Sequence, residues 1–448
     1  MRAIRPLLFG ILALALLPLA GLGATYYVRQ TVGDDSNDGL SPQTAWQRIS
    51  KLSRALQAGD TAYVGPGLYR GEGIQVLNSG TAEKRITLIA DNTGQHTGDP
   101  PGVVMITGAE PVDETIFVRI APGVYRARFT AFRVAAAVEM DSDQFRYSRT
   151  EETREHLTEK MSEPDVVKKL RAHLFHDPDT RDLYIHTSDD KPPTAHELEL
   201  VRYCNGISTS GQHYVTIIGF TFRHVGDAGI NFFKNSGDMI AINNTSYGSR
   251  QGIRVYGAMN VLIYGNTFFR NENSGVYFAL KSVNGVAIGN VAYENVKGVR
   301  WSSDSGHALA IDNKLFDNLE GGISIENATP AVLRGNRAAN NKAQLLVWKT
   351  EYSSDENCFE IGSPDQLMAS FYPYRAIDHY KTLAEYQKAI GQDGHSRAGG
   401  CGPLPEKLDV HKLHSETMAY TERARKILAE SAGAKATPSA TPSPTPTN

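Results

Sequence analysis

The sequence predicts an all-β chain, a right-handed parallel β-helix solenoid, and two observations carry that prediction. Gly-Ile or Gly-Val recurs at Gly229-Ile230, Gly252-Ile253, Gly275-Val276, Gly298-Val299 and Gly322-Ile323, at intervals of 23, 23, 23 and 24 residues. Asn266, Asn290, Asn313 and Asn336 recur roughly half a repeat away, at intervals of 24, 23 and 23. A fixed period of this length marks a solenoid. The units hold short alternating apolar runs and no helix-length periodicity, so each reads as a coil of strands. Each coil hydrogen-bonds to its neighbours and fills the interior with stacked side chains.

Strand alternation then decides which side chains leave the helix. It sends Ile230 and Phe232, Ile253 and Val255, Val276 and Phe278, Val299 and Trp301, Ile323 and Ile325, and Leu345 and Val347 inward. The residues between them point outward in columns that step ~4.8 Å from coil to coil. One column runs Asn231, Arg254, Tyr277, Arg300, Ser324, Leu346, and the next Phe233, Tyr256, Ala279, Ser302, Glu326, Trp348. Lys281 and Asp304 lie just beyond, where strand passes into turn. Cations, carboxylates and aromatic rings on one sheet face suit a saccharide groove, in which rings stack on sugars and cations meet carboxylates.

The chain opens on a targeting pattern. Arg2 and Arg5 precede an apolar run from Leu7 to Leu22 that contains Pro18, and Leu22-Gly23-Ala24 supplies small residues for cleavage. Residues 1–24 therefore read as a signal peptide, and the mature protein as exported to the periplasm or the exterior. The run is too short and too broken for a stable membrane span. No Cys follows it, which argues against a lipid anchor. A net charge of −3 predicts neither nucleic-acid binding nor strong membrane attraction. The remaining length fits one long solenoid domain, expected to be a monomer. Three cysteines are present, Cys204, Cys358 and Cys401. In an oxidising compartment Cys358 with Cys401 is the favoured pair, and three unpaired thiols fit equally well.

Residues 25–112 read as an N-terminal cap and the first coils. Tyr26-Tyr27-Val28 forms a strand, Gly33 to Gly39 a loop, and Ser41-Pro42 starts a short helix with Ile49, Leu52 and Leu56 on one face. Ala62 to Val64 is a strand, and Gly67-Leu68-Tyr69 a further turn. A helix across the open end would protect the first strand edges. Residues 113–200 break the period and read as an insertion. Val124-Tyr125-Arg126 is a strand, Glu151 to His173 has helical spacing, and Asp177 to Arg181 turns between Leu174-Phe175 and Leu183-Tyr184-Ile185. Such an excursion often carries or walls a binding site. His173, His176, His186 and His196 have no metal-ligand spacing. Residues 201–352 are the main coils. Residues 353–432 form a C-terminal cap with a helix from Tyr380 to a Gly391 stop. Residues 433–448 are a Pro/Thr/Ser tail with nothing to bury.

Two stretches carry a resemblance. Tyr26-Tyr27-Val28, the Gly-Asp-Asp-Ser-Asn-Asp-Gly run at 33–39, Ser-Pro-Gln-Thr-Ala-Trp at 41–46 and Ala-Gly-Asp-Thr-Ala-Tyr-Val at 58–64 resemble the N-terminal cap of secreted bacterial β-helix proteins. That group includes polysaccharide lyases of the pectate-lyase-like superfamily. The string Thr-Leu-Ala-Glu-Tyr-Gln-Lys-Ala-Ile-Gly-Gln-Asp-Gly-His-Ser at 382–396 resembles the closing segment of the same broad group. The acidic loop of Asp34, Asp35 and Asp38 has oxygens spaced closely enough for calcium. A polar turn whose side chains cap backbone groups is the favoured reading of that loop.

A third resemblance concerns chemistry. Leu280-Lys281-Ser282-Val283-Asn284 followed by Gly289-Asn290 is similar to the Lys-Ser motif of β-helix lyases of the chondroitinase B and alginate lyase type. The resemblance implies Lys281 as base and Arg300, the arginine of the next coil, as acid or charge stabiliser. Arg300 falls about two residues early, and Ser274 and Val276 stand where that family has calcium-binding glutamates. The Asp-rich calcium motif of another β-helix lyase family is absent. No cofactor is assigned, with Ca2+ left open.

Independently of the resemblance, elimination beside a uronate carboxylate needs a base and a stabiliser of enolate charge. Arg254 and Arg300 could pair with that carboxylate and depress Lys281. Pairing of Lys281 with Asp304 would instead keep the lysine protonated. Hydrolysis needs two carboxyl groups ~5 to 9.5 Å apart, and Asp304 with Glu326, with His307 nearby, is the candidate pair. A non-catalytic glycan binder would use Arg254, Tyr256, Tyr277 and Trp348 equally well. The expectation is an exported protein acting on an anionic polysaccharide, lyase favoured over hydrolase, with Lys281, Arg300, Asp304 and Glu326 as catalytic candidates.

Overall fold

The computed structural model describes residues 23–141, 146, 148–149, 163–371 and 378–408. Residues 1–22 of the expected signal peptide (1–24) and the expected Pro/Thr/Ser tail lie outside them. Each coil contributes three strands in a fixed order, illustrated by Ala228–Phe233, Gly237–Ile242 and Thr245–Tyr247. Stacking the coils makes three ten-stranded sheets and a solenoid of about 13 turns. Sheet A runs from Thr25–Val28 to Tyr352–Asp355, and sheet B from Gly67–Arg70 to Arg397–Ala398. Sheet C runs from Ile74–Gln75 to Leu367–Phe371, then closes with the antiparallel strand Asp378–Tyr380.

The inward set follows the alternation. Ile230, Phe232, Ile253, Val255, Val276, Phe278, Val299, Trp301, Ile323, Ile325, Leu345 and Val347 are each at most 3% exposed. Phe278 and Trp301 stack inside at 4.9 Å. The Asn repeat is a buried ladder at the corner between sheets A and B. Asn266, Asn290, Asn313 and Asn336 each take a backbone N–H and a side-chain N–H from the Asn one coil earlier. It begins at Asn244 and continues to Asn357. A second ladder, absent from the sequence reading, occupies the corner between sheets B and C. It runs Ser249, Asn271, Asn295, Asn318, Asn341. At each corner the side chain satisfies main-chain groups that the bend takes out of the strand ladders, a requirement for buried backbone.

The glycine of each Gly-Ile or Gly-Val pair is fixed by close approach. A Cβ on Gly252 would lie 2.3 Å from the Phe268 ring, and one on Gly275 2.7 Å from the Gly298 carbonyl oxygen. This glycine faces the interior with the residue after it, and strict alternation does not hold at that step.

Several local expectations need correction. Gly67–Arg70 is a strand of sheet B and no turn. The cap helix starts at Ile49, with a single 3-10 turn and then Leu52–Ala55, because the segment from Ser41 is held in extended turns by Thr44 and Trp46. Glu163–Lys169 is helical, whereas residues 170–172 are bends and His173 opens a strand, so the expected helix ends early; its part from 151 to 162 lies outside the described residues. The C-terminal helix spans Leu383–Ile390, with a Thr382/Glu385 capping box and Gly391 in the left-handed region at φ 75°. Leu383 and Tyr386 enter the solenoid core and plug its far end. Cys358 and Cys401 are disulfide-bonded, and Cys204 is a free thiol.

The insertion forms two small sheets. Val134–Glu139 and Ala109–Pro111 flank Leu198–Arg202, while Ser148–Arg149, His173–His176, Asp182–His186, Val124–Arg128 and Val118–Ala121 make the second. The body packs on the outer face of sheet B, where Tyr247, Phe269, Tyr293 and Phe316 stack at 4.8 to 5.1 Å and share a core with Val134, Leu183 and Leu200. Glu199, 2% exposed, binds Arg70 at 2.7 Å and Arg223 at 2.9 Å and ties the insertion to two coils. Those coils flank a third, since Val104–Thr107 pairs with Gly67–Arg70 on one side and with Thr221–Arg223 on the other. The histidines are engaged locally: His176 accepts from the Val134 N–H, His186 contacts the Val167 oxygen and Asp190, and His196 contacts Asp141 and Asp189. Among the described residues no helix is long and apolar enough to cross a membrane.

Candidate functional site: the outer face of sheet C

The parallel register sets the outward columns. Gln75, Ser208, Asn231, Arg254, Tyr277, Arg300, Ser324 and Leu346 are successive partners, one per coil. Beside them Phe233 pairs with Tyr256, Tyr256 with Ala279, and Glu326 with Trp348. Six of the eight candidate residues, all but Lys281 and Asp304, thus stand on the strands of one sheet face.

Two charge clusters occupy it. Toward the N-terminal end, Asp227 is buried and holds Arg254 through both oxygens, at 2.9 and 2.7 Å, while Arg254 also donates to Asn231. The Arg254 guanidinium lies 5.3 Å from the Tyr256 ring, which stacks on Phe233 at 5.8 Å. Two coils on, Glu326 accepts from Lys297 at 2.9 Å, Arg300 at 2.6 Å and the Ser324 hydroxyl at 2.5 Å. Burial pushes the Glu326 carboxyl up, but Lys297, Arg300 and the Ser324 hydroxyl outweigh it and hold the group below the usual carboxylate range. Tyr277 lies between the clusters. Its ring faces the Arg300 guanidinium at 4.7 Å and its hydroxyl bonds the Ser302 hydroxyl at 2.9 Å. The Arg300 Nε is buried without an acceptor.

The turn residues are placed differently. Lys281 is exposed at a left-handed turn, φ 61°, and among the described residues its ammonium makes no ion pair. It does not meet Asp304, which accepts from Asn327 instead. Asp304 is exposed at its own left-handed turn, so it does not share the buried setting of Glu326. His307 is likewise an exposed turn residue. Trp348 is 44% exposed at the C-terminal end of the face, with Lys349 over its ring at 5.5 Å.

Lys297, Asp227 and Glu320 were missed from sequence. Strict alternation from Val299 sends Lys297 inward, but Gly298 takes the inward position at that corner and Lys297 emerges on the face. The Asp34, Asp35 and Asp38 carboxylates cap the N–H groups of Ser36, Gln47, Arg48 and Leu40. Among the described residues no group of three or more His, Cys, Asp or Glu side chains is arranged to hold a metal ion.

The insertion does not stand along this face with its body. Among the described residues, Arg146 reaches the corner between sheets B and C, donating to the Gly248 oxygen and meeting Glu272 at 2.5 Å.

Compared with known proteins, residues 205–359 match the family described as the right handed beta helix region. The chain is a right-handed parallel β-helix. This β-helix is similar to the structure titled as the complex of XylC with xylose, with 16% identity, 78% of this chain and 68% of that chain covered, and a TM-score of 0.54. It is similar to a GH136 lacto-N-biosidase from Eubacterium ramulus at 13% identity, covering 75% of this chain and 56% of that one, TM-score 0.48. A pectate lyase, Pel9A, is similar at 12% identity, with 86% and 82% covered and a TM-score of 0.47. At such identities the likeness concerns the fold. No curated protein matches the sequence.

Proposed function

We propose that the β-helix is an exported carbohydrate-active protein that binds polysaccharide along the outer face of sheet C and cleaves a uronate-containing chain by β-elimination. The observation that carries this reading is Tyr277, a phenol fixed by Ser302 and lying against Arg300, one coil from Arg254. The fold is one that a xylose-bound protein shares in outline, which agrees with a carbohydrate ligand and leaves the reaction open. The leader-like segment and the disulfide agree with export.

In elimination a base removes the proton beside the uronate carboxylate, the bond from ring carbon to leaving oxygen breaks, and that oxygen takes a proton. Arg300 supplies charge for the carboxylate as the enolate develops, a role for donors aimed at charge that grows in the transition state. Tyr277 is better placed than Lys281 for the proton transfers. Its hydroxyl is held by Ser302, whereas the Lys281 ammonium stands in solvent beyond the strand end. Lys281 then contributes to the cationic rim of the groove.

One observation favours a second reading, glycoside hydrolysis. Glu326 and Glu320 both approach the Lys297 ammonium, at 2.9 and 3.5 Å. That brings two carboxylates near the ~5 to 9.5 Å separation such enzymes use. Asp304 is less suited to this pairing than Glu320. The deciding experiment incubates the protein with pectate, alginate and glycosaminoglycans and examines the ends produced. Unsaturated ends, detected by ultraviolet absorbance, support elimination. Saturated reducing ends support the Glu320/Glu326 reading, and binding without either product removes both.

A further inference from the structure

A cavity of about 880 Å3 lies between the N-terminal cap and the first coils of sheet C. Its strand side includes Gln75 and Ser208. These two residues are register partners, and Ser208 continues to Asn231, Arg254, Tyr277 and Arg300. The cavity is therefore the N-terminal end of the same outward column that holds the candidate site. From Ser208 to Arg300 the column spans four coil steps, ~19 Å at the spacing of paired strands.

The opposite side of the cavity is the cap segment, which contributes Arg48, Lys51 and Arg54. Arg48 and Lys51 are tied to the acidic loop: the Arg48 guanidinium pairs with the Asp35 carboxylate, and the Lys51 ammonium donates to the Asp35 backbone oxygen. Lys51 also lies 5.3 Å from the Trp46 ring. Arg54 is exposed and forms no ion pair among the described residues. Ser53 accepts the Gln75 N–H, which fixes the cap against the sheet edge. Leu77, 46% exposed, adds an apolar surface.

We propose that this cavity is a terminal subsite, which receives the end sugar of a uronate chain lying along the column and holds its carboxylate through Arg54. The inference rests on the reading of sheet C as a polysaccharide groove. It adds that the groove is closed at its N-terminal end by the cap and recognises a chain terminus there. The column ends at Gln75 on the edge strand of sheet C, and the cap is bonded to that strand through Ser53. The free guanidinium supplies the bidentate fork that suits a carboxylate. Gln75 and Ser208, with Leu77 beside them on the strand side, offer the two kinds of surface that suit a sugar ring.

The test is calorimetric binding of galacturonate, mannuronate and glucuronate oligomers by the full chain, comparing disaccharides with hexasaccharides, and xylohexaose as neutral control. The expected result is that at least one uronate hexasaccharide binds roughly tenfold more tightly than its disaccharide, and that Arg54→Gln removes this gain. A roughly tenfold loss is what one charge-assisted hydrogen bond supplies. Xylohexaose affinity should be unchanged in Arg54→Gln, and Arg54→Glu should weaken the uronate hexasaccharide further. Arg300→Gln should weaken short and long uronates alike. If Arg54→Gln binds hexasaccharides as the wild type does while Arg300→Gln weakens them, the terminal subsite is wrong and the groove reading stands. If no uronate oligomer binds the wild-type chain, both fall.

Discussion

Replacing Asn290 with Ala tests whether the corner ladder is what holds successive coils together. Asn290 is fully buried. Its side-chain oxygen accepts the Asn266 main-chain N–H at 2.9 Å and the Asn266 side-chain N–H at 3.1 Å. Its nitrogen donates to the Ile263 carbonyl at 2.9 Å and to the Asn313 side chain at 3.0 Å. Truncation leaves a buried backbone N–H with no acceptor and weakens the neighbouring Asn residues on both sides. Each orphaned buried group costs about 1 to 3 kcal/mol. The two amides and the carbonyl are partly compensated by relaxation, so the expected loss is roughly 3 to 5 kcal/mol. Ser353→Ala on the exposed face of sheet A is the control, within about 0.5 kcal/mol. Denaturant unfolding followed by circular dichroism reads the global effect. Hydrogen exchange at the Asn266 amide reads the local one, which matters because solenoids can open in parts. A loss below about 1 kcal/mol with unchanged exchange at Asn266 would refute the ladder as a major source of coil-to-coil stability.

Three further outcomes are expected. The folded pKa of Glu326 lies below its unfolded value of about 4.3, so its stabilising contribution is fully present above that value and is lost as pH falls through the folded pKa. Denaturation midpoints measured from about pH 6 to about pH 3 should therefore fall more steeply for the wild type than for Glu326→Gln, and parallel curves would show that the Lys297–Glu326–Arg300 cluster contributes nothing. The disulfide closes a loop between residues 43 apart, so Cys358→Ser with Cys401→Ser should lower stability by roughly 4 kcal/mol on chain-entropy grounds, and an unchanged denaturation midpoint would contradict that. On a polymer that the protein cleaves, Tyr277→Phe should reduce turnover by ~10² to 10⁴ while Lys281→Ala mainly weakens binding, and the reverse pattern would return the base to Lys281.

What could be read from the sequence follows from how local each signal is. The Gly-Ile and Gly-Val repeat set the coils, and alternation from it identified the twelve inward side chains and the outward column from Asn231 to Leu346. The second Asn ladder was equally present, five residues after the first at Asn271, Asn295, Asn318 and Asn341. It went unread because Asn in a turn has many local explanations. Lys297 was hidden by a physical exception: glycine at the corner faces the core, and this reverses the parity of the residue before it. The Asp227–Arg254 pair links a turn residue to the strand of the next coil, a contact that no spacing rule specifies. The Lys281-Ser282 match drew attention to a residue whose neighbour matters more to structure. Ser282 is the buried member, accepting the Gly257 N–H and donating to the Ala279 carbonyl.

The position of the insertion has a consequence for the order in which the chain is made. Val104–Thr107 has one of its sheet partners at Thr221–Arg223, and Ile86–Ala90 has one of its own at Val215–Ile218. More than a hundred residues separate each pair in sequence. At ~5 to 20 residues per second, the first coils wait roughly 6 to 25 s for the strands that cover them. Throughout that interval these parallel edges are unpaired, and such edges are templates for association with other chains. The insertion, with its own sheets and core, can fold during the delay, but Glu199 has both of its arginines only once Arg223 has arrived. A fragment ending just after Thr107 should consequently self-associate, whereas one ending after Arg223 buries those edges and leaves a single new front for the next coil.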